Sequence, residues 1–185
     1  MKTITNINAI VITGGPGTGK TSIIKKLSQI GKVCVKESGR HIIKQQLQLG
    51  GNYLPWADRQ GFGNEMFQMA VKDFEDAANN NLLTFFDRAI PDVIGYLTLC
   101  NLPIPDHIWQ TAKYYRYHKN IFVTPPWEKI YTNDTERKQR FKEAIDTYKI
   151  MLKVYTELHY NVVEIPRVTI AERTDFILDF LRTQH

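Results

Sequence analysis

At 185 residues, 43% of them hydrophobic, the chain is long enough to bury the core of one α/β domain and short for two, so a single domain over 1–185 is expected. A formal net charge of +5 suits an anionic small ligand, and no block of five or more like charges marks a nucleic-acid tail. Two cysteines, Cys34 and Cys100, exclude a disulfide framework and a Cys-based zinc site; together with the absence of any apolar run near the ~18 residues of a membrane span, they point to a cytoplasmic protein with no membrane span.

The first apolar run, Ala9 to Thr13, reads as a buried strand and leads into Gly14-Gly15-Pro16-Gly17-Thr18-Gly19-Lys20-Thr21. This is a complete GxxxxGK[ST] phosphate loop in the strand-to-helix setting that such a loop requires. Glycines let the backbone wrap around phosphate oxygens, and the N–H groups of the loop and of the following helix point at them. Gly15, Pro16, Gly17, Thr18, Gly19, Lys20, Thr21 and Ser22 are therefore the expected triphosphate contacts. Lys20 would reach the β- and γ-phosphates, and the Thr21 hydroxyl would hold Mg²⁺. The apolar segment before the loop lacks a cleavage-type ending and is not read as a signal peptide.

Thr21 to Ile30 reads as a helix, with Gly31 placed for a left-handed C-terminal residue. Lys32 to Lys36 is a second strand, and Glu37 stands at its carboxyl end with Arg40 in the next helix. Ligands of parallel α/β sheets collect at the carboxyl ends of strands, so Glu37 and Arg40 face the phosphate loop. Gly50-Gly51 ends that helix. The loop that follows carries Tyr53, Trp56, Asp58 and Arg59; it is a ligand-facing flap or a packed surface loop, and Trp56 and Arg59 are candidate substrate contacts.

A helix runs from Phe62 to about Asn79, and Leu82 to Asp87 is a third strand, an apolar run ending in an acid followed by Arg88. Asp87 is the place for the second acidic residue of a phosphate-loop enzyme, answering Thr21 across the metal; a plain helix cap is the alternative. An almost wholly apolar helix spans Asp92 to Cys100, and a further helix is predicted over 107–117, carrying Arg116 as another candidate substrate contact. Lys119 to Val123 is a fourth strand. Beyond Thr124-Pro125-Pro126-Trp127 a long helix capped by Thr132 or Asn133 is expected, its apolar stripe starting at Phe141. Extended backward, that stripe lands on Lys138 and Arg137, two cations near a helix N-terminus, where the helix dipole disfavours them unless an anion is bound. A phosphate-clamping lid over about 124–142 accounts for both, whereas Arg140 fits a solvated face. Asn161 to Ile165 is the fifth strand, and Thr169 with Glu172 makes a capping box for a last helix.

Strands alternating with helices after a phosphate loop give a three-layer α/β sandwich with a five-stranded parallel sheet. GGPGTGKT at 14–21, KESGR at 36–40, FFDRAIPDVIGY at 85–96, PPW at 125–127 and TERKQR at 135–140 resemble the predicted P-loop ATPases related to the ribosylnicotinamide kinase domain, over nearly the whole chain. More distantly, the chain is similar to deoxynucleoside kinases. The resemblance implies strand order 2-3-1-4-5 and a nucleotide-kinase-like site with a helical lid. In it Glu37 accepts the acceptor's proton, Asp87 and Thr21 organise Mg²⁺, and Arg88, Arg137 and Lys138 offset charge on the transferring group beside Lys20. Arg137 and Arg167 contact the nucleotide, whose base lies against Pro166 to Val168, and Arg40, Trp56, Arg59, Arg88 and Arg116 are the substrate-side candidates. Glu37 is equally readable as a structural partner of Arg40 or Arg88. No guanine-selecting NKxD occurs, which tilts the cofactor towards ATP and leaves GTP open. The expected activity is transfer of the γ-phosphoryl group to a hydroxyl of a small, nucleoside-like metabolite. The rival is a nucleotide-dependent regulatory ATPase with slow hydrolysis and a protein or lipid partner. Nucleic acid is not the expected partner.

Overall fold

The computed structural model describes residues 3–128 and 141–183. In chain order these form β1 (Ile4–Thr5), β2 (Ala9–Gly14), α1 (Lys20–Gln29), β3 (Val33–Val35), α2 (Ser38–Leu49), α3 (Arg59–Asn80), β4 (Thr84–Asp87), α4 (Ile90–Leu99), α5 (Asp106–Tyr114), β5 (Tyr115–Arg116), β6 (Asn120–Thr124), α6 (Phe141–Glu157), β7 (Asn161–Glu164) and α7 (Ile170–Arg182). Five strands make one parallel sheet in the order β3-β4-β2-β6-β7. Counted within that sheet, this is the expected 2-3-1-4-5, and all five carboxyl ends lie on one side.

Alternation along the central strands assigns the two faces. Ile10 and Ile12 of β2, Phe85 of β4 and Phe122 of β6 pack with Ile23 and Leu27 of α1 and Ile177 and Leu181 of α7. Ala9 and Val11, Phe86 and Ile121 face the other way, towards Phe74 of α3, Ile94 and Leu97 of α4, Ile108 of α5 and Met151 and Tyr155 of α6. Each Val, Leu, Ile, Phe and Met among them contributes about 1.5–3 kcal/mol by leaving water. The inner strands β2, β4 and β6 are buried along their whole length, while the edge strands β3 and β7 are partly exposed, as a sheet with two covered faces requires. A smaller cluster of Ile42, Ile43, Leu54 and Phe62 seats α2 and the loop before α3 on the body.

Two local signals act as read. Gly31 takes φ +80° after α1, and Lys32 N donates to Leu27 O at 3.0 Å, so a left-handed glycine closes the helix. Thr169 and Glu172 form the reciprocal cap of α7.

The helix predicted over 107–117 is corrected at its end. It stops at Tyr114, and Tyr115–Arg116 is a strand that pairs in parallel with Ile4–Thr5. The rings of Tyr115 and Tyr117 both pack on Phe74, whereas Arg116 turns the opposite way, onto Tyr160. That is a period of two, carried by residues of high strand propensity but too short to stand out in an aromatic-rich sequence.

Candidate active site

The phosphate loop hangs from the carboxyl end of β2, the strand at which the chain's order through the sheet reverses. Gly14 has φ +134°, and a Cβ there would lie 2.6 Å from the carbonyl oxygen of Thr124 at the end of β6. Gly15 is equally confined, since its Cβ would stand 2.8 Å from the Cα of Ala144 in the first turn of α6. Glycine is thus required on one side by a neighbouring strand and on the other by a neighbouring helix. Thr18 is buried; its Oγ1 donates to Gly15 O at 2.8 Å and shares a hydrogen bond with Thr124 Oγ1 at 2.7 Å. Lys20 Nζ lies over the loop, 2.5 Å from Gly15 O, and is itself buried. Gly19 caps α1 with φ +89°, so Lys20, Thr21 and Ser22 form the helix's first turn.

At the end of β4, Asp87 is 3% exposed, and its Oδ2 accepts from Thr21 Oγ1 at 3.3 Å. Its Oδ1 is buried without a hydrogen-bond partner. Burial, reinforced by the charge of Glu37 and opposed by Lys20 and Arg88, pushes the Asp87 carboxyl up to about 6. A buried carboxylate oxygen with an unmet need, beside a threonine hydroxyl and a phosphate loop, fits a divalent cation held by oxygen ligands.

Next to it, Arg88 adopts φ +80°, a left-handed backbone that a non-glycine residue rarely takes. Arg88 N remains on the ladder, donating to Ile12 O at 3.1 Å, and the side chain is thrown sideways across the strand ends. Its Nε donates to Glu37 Oε1 at 2.9 Å and its Nη1 to Asp92 Oδ1 at 3.3 Å. Burial alone would lower the guanidinium, but Glu37, Asp92 and Asp87 hold it above its ordinary value. Glu37, whose side chain is 8% exposed, also meets Arg40 Nε at 3.5 Å, on the rim.

Asp92 anchors this arrangement, and the sequence reading took it only for a helix start. It is buried and accepts from Thr13 Oγ1 at 2.5 Å, Tyr155 Oη at 2.6 Å, Ala89 N at 2.9 Å and Arg88 Nη1 at 3.3 Å. One carboxylate thus ties the strand before the phosphate loop, the residue after Arg88 and helix α6 together. The available signal was its place in the first turn of α4, three residues after the N-cap Ala89, from whose N–H it accepts. Tyr155 was hidden among apolar residues of the α6 stripe.

The structure therefore brings Lys20, Thr21, Glu37, Arg40, Asp87 and Arg88 to one end of the sheet. Arg167, after β7, lies at that end too: its Nε donates to Pro126 O at 3.3 Å in the loop that follows β6, and its Nη2 is 4.0 Å from Glu164 Oε1. Arg59 opens α3 and donates from Nε to Pro55 O at 3.2 Å within its own loop, and Trp56 in that loop is 56% exposed. Arg116 is not brought to the site. It precedes β6, at the opposite end of the sheet, where it stacks 3.9 Å over the Tyr160 ring and donates to Leu158 O at 2.8 Å. Arg137, Lys138, the Thr132 or Asn133 cap and most of the expected lid lie outside the described residues.

Solved structures share this fold. The chain aligns with a NadR protein in complex with NR at TM-score 0.70 and 18% identity, over 93% of this chain and 51% of that one. A deoxyadenosine kinase from M. mycoides aligns at TM-score 0.64 and 13% identity, over 95% and 99% of the two chains. A thymidylate kinase from Candida albicans aligns at TM-score 0.66 and 14% identity, over 95% and 91%. These TM-scores, over more than nine-tenths of the chain, establish a common fold. No curated protein sequence matches the chain. A family model described as AAA domain matches residues 9–173, from the first residue of β2 into α7, and the chain belongs to that P-loop family.

Proposed function

We propose that the protein is a small-molecule kinase that transfers the γ-phosphoryl group of ATP to a hydroxyl of a small, nucleoside-like acceptor. The observation that carries this reading is the Glu37–Arg88 pair at 2.9 Å, set beside Asp87 at the strand ends that hold the phosphate loop. A carboxylate and a guanidinium so placed are what transfer to a hydroxyl needs: an acceptor for the proton and a cation for the charge on the transferring oxygens. Structures of similar fold that support it include a deoxyadenosine kinase, a NadR protein in complex with NR and a shikimate kinase in complex with shikimate.

In this mechanism Lys20 and the loop amides hold the β- and γ-phosphates. Thr21 and Asp87 would hold Mg²⁺, which supplies charge neutralisation between the phosphates. Glu37 takes the acceptor's hydroxyl proton as the acceptor oxygen bonds to the γ-phosphorus; the bond from that phosphorus to the bridging oxygen breaks, and ADP leaves. Arg88 offsets the developing charge, with Arg137 and Lys138 as further cations. Arg167 and the turn after β7 support the nucleotide base, ATP in preference to GTP. Arg40 borders the acceptor.

One observation favours the rival reading of a regulatory ATPase: Glu37 is already engaged by two arginines, as a structural ion pair would be. A panel of nucleosides and small hydroxyl metabolites separates the two. The kinase reading expects ADP release stimulated by one acceptor class. Release that never exceeds the acceptor-free rate overturns it.

A further inference from the structure

Arg173 of α7 is fully buried at 0% exposure, among the largest side chains with no access to solvent. Its Nη1 donates to Thr18 O in the phosphate loop at 3.0 Å, while Nε and Nη2 are buried without hydrogen-bond partners. Among the described residues no carboxylate pairs with it, and burial lowers its guanidinium with no opposing charge. Arginine stays protonated even so, and a buried cation left without a counter-charge works against folding. Apolar side chains fill the rest of this face, including Ile23, Leu27 and Ile177, so a methionine would suit the site better if the fold were all that mattered.

The carbonyl that Arg173 holds gives the reason. No peptide bond among the described residues is cis, so in the Thr18–Gly19 peptide the C=O and the N–H point in opposite directions. With Thr18 O fixed outward on a helix behind the loop, the N–H of Gly19 is turned to the inner side, where the loop amides converge on phosphate. Thr18 cannot be held there by its own side chain, because Oγ1 is committed to Gly15 O and Thr124 Oγ1. We propose that Arg173 is a positioning residue for triphosphate binding: it sets the Thr18–Gly19 peptide for phosphate and places beneath the loop a buried positive charge that the bound polyphosphate compensates. This rests on the nucleotide-binding part of the function proposed above and does not depend on the acceptor.

The two roles of a buried arginine have opposite signatures. A residue kept for stability lowers the melting temperature when removed. Arg173, in the role proposed, gives R173M a melting temperature at or above that of the parent, because an unpaired charge is gone, and an ATP affinity weaker by about 10- to 100-fold, the loss expected for a charge-assisted hydrogen bond. R173K, which retains the charge and a donor, recovers part of the affinity. The measurements are calorimetric titration with ATP·Mg and thermal melts without nucleotide; if R173M does not fold, R173Q, of similar shape and neutral, is judged by the same criterion. Affinity within threefold of the parent in the folded neutral variant overturns the proposal, as does a fall in melting temperature with affinity unchanged. A parent protein that binds neither ATP nor GTP removes the nucleotide reading itself, a result distinct from a parent that binds and a variant that binds equally well.

Discussion

Tyr155 on α6 donates its phenolic hydrogen to Asp92 Oδ2 on α4 at 2.6 Å, with both residues buried. Burial and the neighbouring Asp92 charge push the Tyr155 phenol well above its ordinary value, so it donates throughout the working pH range. Through Asp92 that bond reaches Arg88 and Thr13. Tyr155→Phe removes one of four donors from a buried carboxylate, and chemical denaturation should find the protein destabilised by about 1–3 kcal/mol. If the carboxylate also holds Arg88 in place, kcat should fall in the same variant with little change in the KM for ATP. Full stability with full turnover would show that Asp92 is held by its other partners alone.

Asp87 carries a stability cost in the free protein. Its folded value, about 6, lies above its unfolded value near 3.8, so the folded state binds the proton more tightly and stability falls as pH rises between them. That difference corresponds to roughly 3 kcal/mol, lost progressively from pH 4 to 6 and fully absent above. Asp87→Asn should therefore stabilise the nucleotide-free protein at pH 7 and flatten its pH–stability profile over that window, while abolishing magnesium-dependent turnover. Urea titrations at pH 4, 5, 6 and 7 for parent and variant check this; a variant less stable at pH 7 would contradict it.

For Glu37, the separation is kinetic. Glu37→Gln keeps a hydrogen-bonding partner for Arg88 but no base, so ATP affinity should be retained while single-turnover transfer to the acceptor drops by about 10²- to 10⁴-fold. Unchanged turnover would leave Glu37 as a structural partner of Arg88 and Arg40.

The contact between Gly15 and α6 can be tested by a single methyl group. Gly15→Ala forces a Cβ against the backbone of Ala144, where no side-chain rotation can relieve it. Overpacking of this kind costs about 1–3 kcal/mol, and the displaced loop should bind ATP weakly. Native melting temperature and native affinity together would mean that α6 yields easily.

Lys20→Ala should abolish binding of triphosphate in calorimetry, because the lysine lies within the loop, 2.5 Å from Gly15 O. Residual tight binding would shift the weight to the loop amides.

Much of the fold was legible because its signals are local. The phosphate loop, Gly31 and the Thr169–Glu172 cap each act within a few residues, and the strand that ends in Asp87 is a short apolar run closed by an acid, while Glu37 stands just past β3 at the N-cap of α2. The convergence of Glu37, Asp87 and Arg88 also followed, since parallel strands deliver their carboxyl ends to one place. What escaped notice were polar groups facing inward from otherwise apolar elements. In sequence Asp92 reads as a helix start and Tyr155 as one member of an apolar stripe, and nothing marks Arg173; only the tertiary packing makes the first a four-donor hub and the last a buried cation under the loop. Arg116 misled for the same reason, because a two-residue strand cannot be distinguished from the end of a helix by periodicity.

The left-handed backbone of Arg88 is a small cost that its side chain more than offsets, so selection for stability and selection for activity act in the same direction at one codon. Glycine would relax that backbone by about 1 kcal/mol, and no other substitution would do so as fully. Yet Gly would take the Arg88 guanidinium away from two buried carboxylates, Glu37 and Asp92, a loss of about 3–5 kcal/mol that outweighs the relief, so a library screened for thermal tolerance should keep Arg at position 88 as firmly as one screened for turnover. Agreement between the two populations at this single site would report that one guanidinium serves the fold and the chemistry together, and Gly gathering in the thermal screen would contradict it.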